Sequence, residues 1–262
     1  MKPELPVTST RTRRNIIRRP MSAEITVSVV SHRQNALVNA FVEDVARHCG
    51  KRVALLVTQN VPDAEPFALS GMPGRVEILL NERLKGFGEN HNAAFSRCRT
   101  QYFCVANPDI RLRADPFPQL VEALEKEGAV AAGPLVRNPA GAVEDSARRF
   151  PTAASLFRKL LRERPGPEYP LGHAAVRVDW VAGMFILFRS AAFRQVGGFD
   201  ERYFLYYEDV DLCRRLGQSV GPVVYEPRAE VIHDARRASR RDLHLALRHF
   251  SSAVRFLSKP SR

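Results

Sequence analysis

Residues 75–110 read RVEILLNERLKGFGENHNAAFSRCRTQYFCVANPDI, and this stretch decides the fold. A short apolar run (75–80) is followed by a loop with two glycines, then by a segment of helical character (89–99). A second apolar run (101–106) stops at Asn107-Pro108. Apolar runs bounded by turn residues read as strands, so the stretch is strand, helix, strand.

The same alternation extends outward. Residues 25–31 (ITVSVVS) and 52–58 (RVALLVT) read as strands. Between them, residues 35–48 place Leu37, Phe41 and Val45 at helical spacing. Residues 117–127 read as a helix and 129–133 as a short buried strand. The expected class is α/β, a mainly parallel, doubly wound sheet with helices on both faces. Such sheets bind ligands at the carboxyl ends of their strands, where Asn107 and Asp109 fall. The second half is less regular. A strand is expected over 143–150, an amphipathic basic helix over 152–162, and one long buried strand over 176–189 containing Asp179 and Gly183. A short helix (190–197), a helix ending near 217, a short strand (222–226) leading to His233, and a last helix (239–258) follow. The expected organisation is one domain over 24–235, its acceptor side built from the second half. A disordered basic arm (1–23) precedes it and a basic helical segment (236–262) follows.

The 262 residues carry 40 Lys and Arg against 28 Asp and Glu, a net +12. With 45% apolar and 26% charged residues the composition is globular, which excludes a disordered or collagen-like chain. The charge is terminal: residues 1–20 carry six Lys/Arg and one Glu, and residues 228–262 carry nine against three acids. The body is near neutral and lacks interleaved aromatics or a reading motif, which argues against a nucleic-acid binder. Basic ends on a neutral body suit an anionic membrane surface. The four cysteines have no CxxC spacing, which fits a reducing compartment without zinc knuckles or disulfides. The longest apolar run, Trp180 to Phe188, is nine residues, against the roughly twenty of a membrane span. No signal peptide is evident, and a cytoplasmic protein is expected, peripheral on the inner membrane's cytoplasmic face.

Five acids and one base fall within residues 200–211, among aromatic residues. A helix dipole accounts for one or two of the acids, such as Glu208 and Asp209. The rest suggest a partly dehydrated pocket in which one carboxylate acts as a general base. Asp109, after a strand, is suited to a hard divalent cation that would screen a diphosphate leaving group; an Asx-Pro turn is the plainer account. Gly86 and Gly88 permit close backbone approach before a helix start, where N–H groups can receive a phosphate. Asp179, opening a buried strand, needs a partner in Arg177 or a substrate hydroxyl. No nucleophile triad is evident.

Six segments in order, 27–32, 81–95, 107–110, 179–189, 197–216 and 229–234, resemble the family-2 inverting glycosyltransferases of the GT-A fold. The rhamnosyltransferase-like branch is the nearest in appearance, and GGFDERYFLYYEDVDLCRRL is the most specific block. The resemblance implies a nucleotide-diphosphate sugar donor, with dTDP-rhamnose the leading choice, and a glycan or lipid-linked acceptor. It implies Asp209 as the catalytic base, with Glu208 and Asp211 orienting it or binding acceptor. Asp109 and His233 would bind Mg²⁺ or Mn²⁺. Ser31, Gln59, Asn60, Gly86, Phe87, Asn92 and Asn107 would line the donor side, and Asp179, Trp180 and Gly183 the acceptor side. The sequence departs from the family where Gln59 replaces an Asp near the nucleobase and Asn107 replaces the first acid of the metal motif. A sugar nucleotidyltransferase lacks its N-terminal Gly-rich stretch here. A non-catalytic scaffold of the same fold is the remaining alternative.

Overall fold

The computed structural model describes residues 24–152, 154–155, 168–169, 172–234 and 243–259. The expected basic arm, nearly all of the expected helix over 152–162, and residues 235–242 lie outside this set. In chain order the elements begin with β1 (Ile25–His32), α1 (Asn35–His48), β2 (Val53–Val61), β3 (Val76–Leu80), α2 (Phe87–Phe95), β4 (Tyr102–Ala106) and β5 (Ile110–Arg111). They continue with α3 (Phe117–Lys126), β6 (Ala131–Arg137), β7 (Val143–Glu144), β8 (Ala147–Arg148), β9 (Val176–Val178), β10 (Trp180–Val181) and β11 (Phe185–Arg189). The last are α4 (Ser190–Gln195), α5 (Glu208–Ser219), β12 (Val223–His233) and α6 (Leu243–Ser258).

Ten strands form one sheet in the order β3-β2-β1-β4-β11-β6-β12-β5, with β7 on β6 and β9 on β12. Strands β3, β2, β1 and β4 run parallel, and β12 runs parallel to β6. β11 is antiparallel to both β4 and β6 and joins the two halves. The order reverses between β1 and β4, so the ligand crevice expected of such a sheet opens at their carboxyl ends.

Strand alternation builds a core on each face of the sheet. Tyr102, Cys104 and Ala106 of β4 and Phe185 and Leu187 of β11 face one cluster, with Phe41 of α1 and Leu120 of α3. Phe103, Val105, Ile186 and Phe188 face the other, with Phe193 of α4 and Leu212 and Leu216 of α5. Burial on both faces explains why β1 and β4 read as continuous apolar runs.

The expected long strand over 176–189 is three short ones. β9 joins the main sheet, β10 pairs with β8 in a separate two-stranded sheet, and the chain turns at Gly183 before β11. The expected 143–150 strand likewise divides into β7 and β8. The short strand expected at 222–226 runs on to His233, through a register shift between Glu226 and Glu230. A third cluster joins Tyr203, Tyr207 and Val210 to Ala253 and Phe256, so α6 packs against the acidic block.

Candidate active site

The acidic block divides into carboxylates that face a cleft and carboxylates that hold the fold. Asp211 is fully buried; Arg215 donates to it at 2.8 Å, and Lys259, just beyond α6, pairs with it. Lys259 also reaches Asp200 at 2.7 Å, and Arg202 pairs with the same carboxylate. Arg202 and Lys259 together hold Asp200 well below the usual carboxylate range despite partial burial. Glu201 accepts from the Asn92 side chain at 3.0 Å. Three of the five acids are therefore structural partners.

The other two open α5. Tyr206 and Tyr207 precede them with φ of 71° and 67°. This left-handed conformation costs roughly 1–2 kcal/mol per non-glycine residue and tends to gather at functional sites. The turn directs Glu208 and Asp209 into a cleft of about 460 Å³, lined also by Arg148, Arg149, Trp180, Tyr206, Tyr207 and His249. Asp209 accepts from the Gly183 N–H and from the Val210 N–H, each at 2.8 Å. Burial nevertheless raises its pKa, the backbone donors opposing. Glu208 is 5% exposed, and its Oε2 has no partner among the described residues. Burial and then the charge of Asp209 push its pKa well above the ordinary value. A partly dehydrated carboxylate beside a cleft is a better proton acceptor than an exposed one.

A second group gathers at the strand ends. His233, closing β12, lies beside Ile110 of β5. Its Nε2 is 3.5 Å from Asp109 Oδ2, and its Nδ1 is 2.7 Å from Glu144 Oε2. Burial lowers the His233 pKa, but the two carboxylates outweigh it and raise the value to about 9. Asp109 Oδ1 is buried without a hydrogen-bond partner among the described residues. These residues also contain no cluster of three or more His, Cys, Asp or Glu side chains suited to a metal ion. Asn107 donates its N–H to Met184 O at 2.8 Å, which ties this group to the residue after Gly183.

Several of the remaining candidates make hydrogen bonds or close contacts that hold the loops around this end of the sheet. Ser31 and Gln59 are register partners at the ends of β1 and β2. Asn60 accepts from the Lys85 N–H and the Asn81 side chain, each at 2.9 Å, and so pins the loop before α2. A side chain at Gly86 would place Cβ 2.7 Å from Phe204 O, so this glycine lets the loop meet the 204–207 turn. The Phe87 N–H donates to the same oxygen at 2.9 Å, while its ring packs on His91 and Phe199. Asn92 clamps the backbone N–H and C=O of Phe199, both at 2.9 Å. Beside it Gly198 has φ +71°, and a Cβ there would strike Asn92 Oδ1 at 2.4 Å.

Asp179 does not face the cleft. Its carboxylate accepts from the Phe150 N–H at 2.7 Å and the Tyr169 hydroxyl at 3.2 Å. Arg177, the partner expected for it, instead reaches Glu127 O at 3.2 Å. Trp180 does line the cleft, its indole N–H donating to Arg149 O at 2.9 Å. Sequence reading missed Glu144, Arg148, Arg149 and His249. Only the basic pair Arg148-Arg149 carried a local signal.

Comparison with known proteins assigns the chain a family and a fold. The family model described as "Glycosyltransferase like family 2" matches residues 22–250. The chain is 37% identical over 190 residues to the N-acetylglucosaminyl-diphospho-decaprenol L-rhamnosyltransferase of Mycobacterium tuberculosis, covering 67% of this chain and 61% of that protein. It thus spans about three-fifths of that relative's length. It is 33% identical over 187 residues to the rhamnosyltransferase WbbL of Escherichia coli, covering 66% of this chain and 70% of that one. In fold it resembles the mannosyltransferase PcManGT of Pyrobaculum calidifontis, solved with GDP-Man and Mn²⁺. That match has a TM-score of 0.60 at 14% identity and covers 91% of this chain and 68% of the other. The fold is of the GT-A type.

Proposed function

Because the chain belongs to glycosyltransferase family 2, we propose that it moves a sugar, L-rhamnose first among candidates, from a nucleotide-diphosphate donor to a lipid-linked or polysaccharide glycan, with inversion. The observation that carries this reading is the Asp209 carboxylate, held by two backbone N–H groups in the cleft with its pKa raised.

In this mechanism an acceptor hydroxyl enters the cleft and gives its proton to Asp209. Its oxygen forms the new bond to the anomeric carbon from the face opposite the diphosphate. The bond from that carbon to the diphosphate oxygen breaks, and the electron pair leaves with the nucleoside diphosphate. One base suffices and no protein nucleophile is needed. Glu208 packs beside Asp209 in the same buried place, and Trp180 and Tyr207 offer apolar faces that exclude water. The crevice at β1, β2 and β4 receives the nucleotide, with Ser31, Gln59 and Asn107 at its edge. A divalent ion, Mg²⁺ or Mn²⁺, when bound supplies positive charge against the departing diphosphate. Asp109, with one oxygen lacking a protein partner, and His233, oriented by Glu144, suit it, as carboxylate-supported histidines do at metal sites. The lipid-linked acceptor places the protein on the cytoplasmic face of a membrane; no helix among the described residues is long and apolar enough to cross one.

The test is nucleotide release from a panel of sugar nucleotides, with calorimetric Mn²⁺ binding alongside. One donor should turn over, and EDTA should stop it. Asp209→Asn and Asp109→Ala should each lose at least about a hundredfold. Mn²⁺ binding should vanish in Asp109→Ala and weaken about tenfold or more in Glu144→Gln. Donor binding without turnover, with acceptor present, would leave the scaffold reading; no donor binding would overturn both.

A further inference from the structure

α6 has two apolar faces and uses one of them. Ala253 and Phe256 are buried against Tyr203, Tyr207 and Val210, and the Ser252 hydroxyl donates to Leu205 O at 3.1 Å. On the outward side Leu247, Phe250, Val254 and Leu257 are 66%, 68%, 49% and 42% exposed. Steps of three, four and three residues put them in one stripe along the helix.

We propose that this stripe is a docking face for an anionic lipid bilayer, with the apolar side chains entering the headgroup boundary. Charge selects this occupant. Just before α6 the sequence carries Arg236, Arg237, Arg240 and Arg241 with no acid among residues 236–241, and such a run is drawn to anionic headgroups. A second copy of the chain is the poorer partner, because two-fold pairing through α6 would set one basic segment against another. The same helix supplies His249 to the cleft wall. Docking therefore brings the cleft to within about a helix diameter, roughly 10 Å, of the lipid surface. This deepens the lipid-linked acceptor reading and rests on it for its purpose, but its test needs neither donor nor acceptor.

The experiment is co-sedimentation of the full chain with vesicles of phosphatidylcholine alone or mixed with phosphatidylglycerol. The protein should bind the mixed vesicles, bind the neutral ones more weakly, and release as salt rises. Phe250→Ser with Leu257→Ser should cut the partition about tenfold or more, the scale of two apolar side chains kept in water. Their donor hydrolysis should be unchanged, which also reports that the variant is folded. Leu247→Ser alone should weaken binding in the same direction, so a misfolded double variant would not decide the question. Equal binding by wild type and variants, indifference to lipid charge, or a wild-type dimer that the variants dissociate would overturn the proposal. Stripe-dependent vesicle binding by a chain that hydrolyses no donor would keep the docking face and remove the proposed function.

Discussion

At the scale of single residues, the site rests on two adjacent carboxylates in different surroundings. Glu208 has a buried oxygen without a partner, whereas Asp209 has two backbone donors and an opening to the cleft. Both pKa values are raised, so a base that must be ionised loses its function as pH falls through a value above the usual carboxylate figure of about 4. The acid limb of kcat/KM should therefore lie above that figure. Glu208, whose pKa is pushed well above the ordinary value by burial and then by the Asp209 charge, is neutral while Asp209 titrates, so Glu208→Gln should leave the acid limb where it is, as a pH–rate profile of donor turnover would show. A limb that moves to lower pH would show that Glu208 carries its own charge beside Asp209. Sequence spacing shows five acids close together, but not which cation each one meets. Lys259 lies 48 residues from Asp211 and 59 from Asp200, a separation that no local pattern encodes. Asp179 is a similar case, because its partners Phe150 and Tyr169 lie 29 and 10 residues before it in the chain.

At the scale of elements, α5 is fastened at its first turn. Asp211 receives Arg215 from the next turn of its own helix and Lys259 from the end of α6. Asp211→Asn leaves two cations against a neutral amide in a buried place, which should cost about 3–5 kcal/mol. Lys259→Met should cost less, since Arg215 still serves the carboxylate. Urea unfolding of both variants would rank them, and the reverse order would show that α6, rather than α5, depends on the pair. The elements themselves were readable where periodicity was uninterrupted, as in β1, α1, β2 and β4. They were not where Gly183 breaks an apolar run into β10 and β11 with different sheets, or where β12 passes through a Glu-Pro-Arg irregularity to reach His233. An apolar run signals burial, but a change of pairing partner leaves no mark in hydrophobicity.

At the scale of the whole molecule, the basic terminal helix is part of the site's wall. Read from the sequence alone, deleting the basic ends 1–20 and 236–262 is expected to weaken activity on a soluble acceptor without abolishing it; the fold predicts more for residues 243–262. Their removal would uncover Tyr203 and Tyr207, leave Asp200 and Asp211 without Lys259, and take His249 from the cleft. The truncated chain should lose several kcal/mol of stability, from the burial of Phe256 and the broken ion pairs together. It should also lose most of its donor turnover, and denaturation midpoints with nucleotide release measure both. Retained stability and turnover would make α6 dispensable to the catalytic body.

The antiparallel strand β11 acts as a ruler. It hydrogen-bonds β4 on one side and β6 on the other, and the residues just before it hold Asn107 through Met184 O and Asp209 through the Gly183 N–H. In the proposed reaction, the distance from the leaving-group end to the proton acceptor would thereby be set by covalent geometry and sheet spacing. On that reading, substitutions at the cleft rim, at Arg148, Arg149, Trp180 and Tyr206, would alter acceptor choice and leave this interval constant.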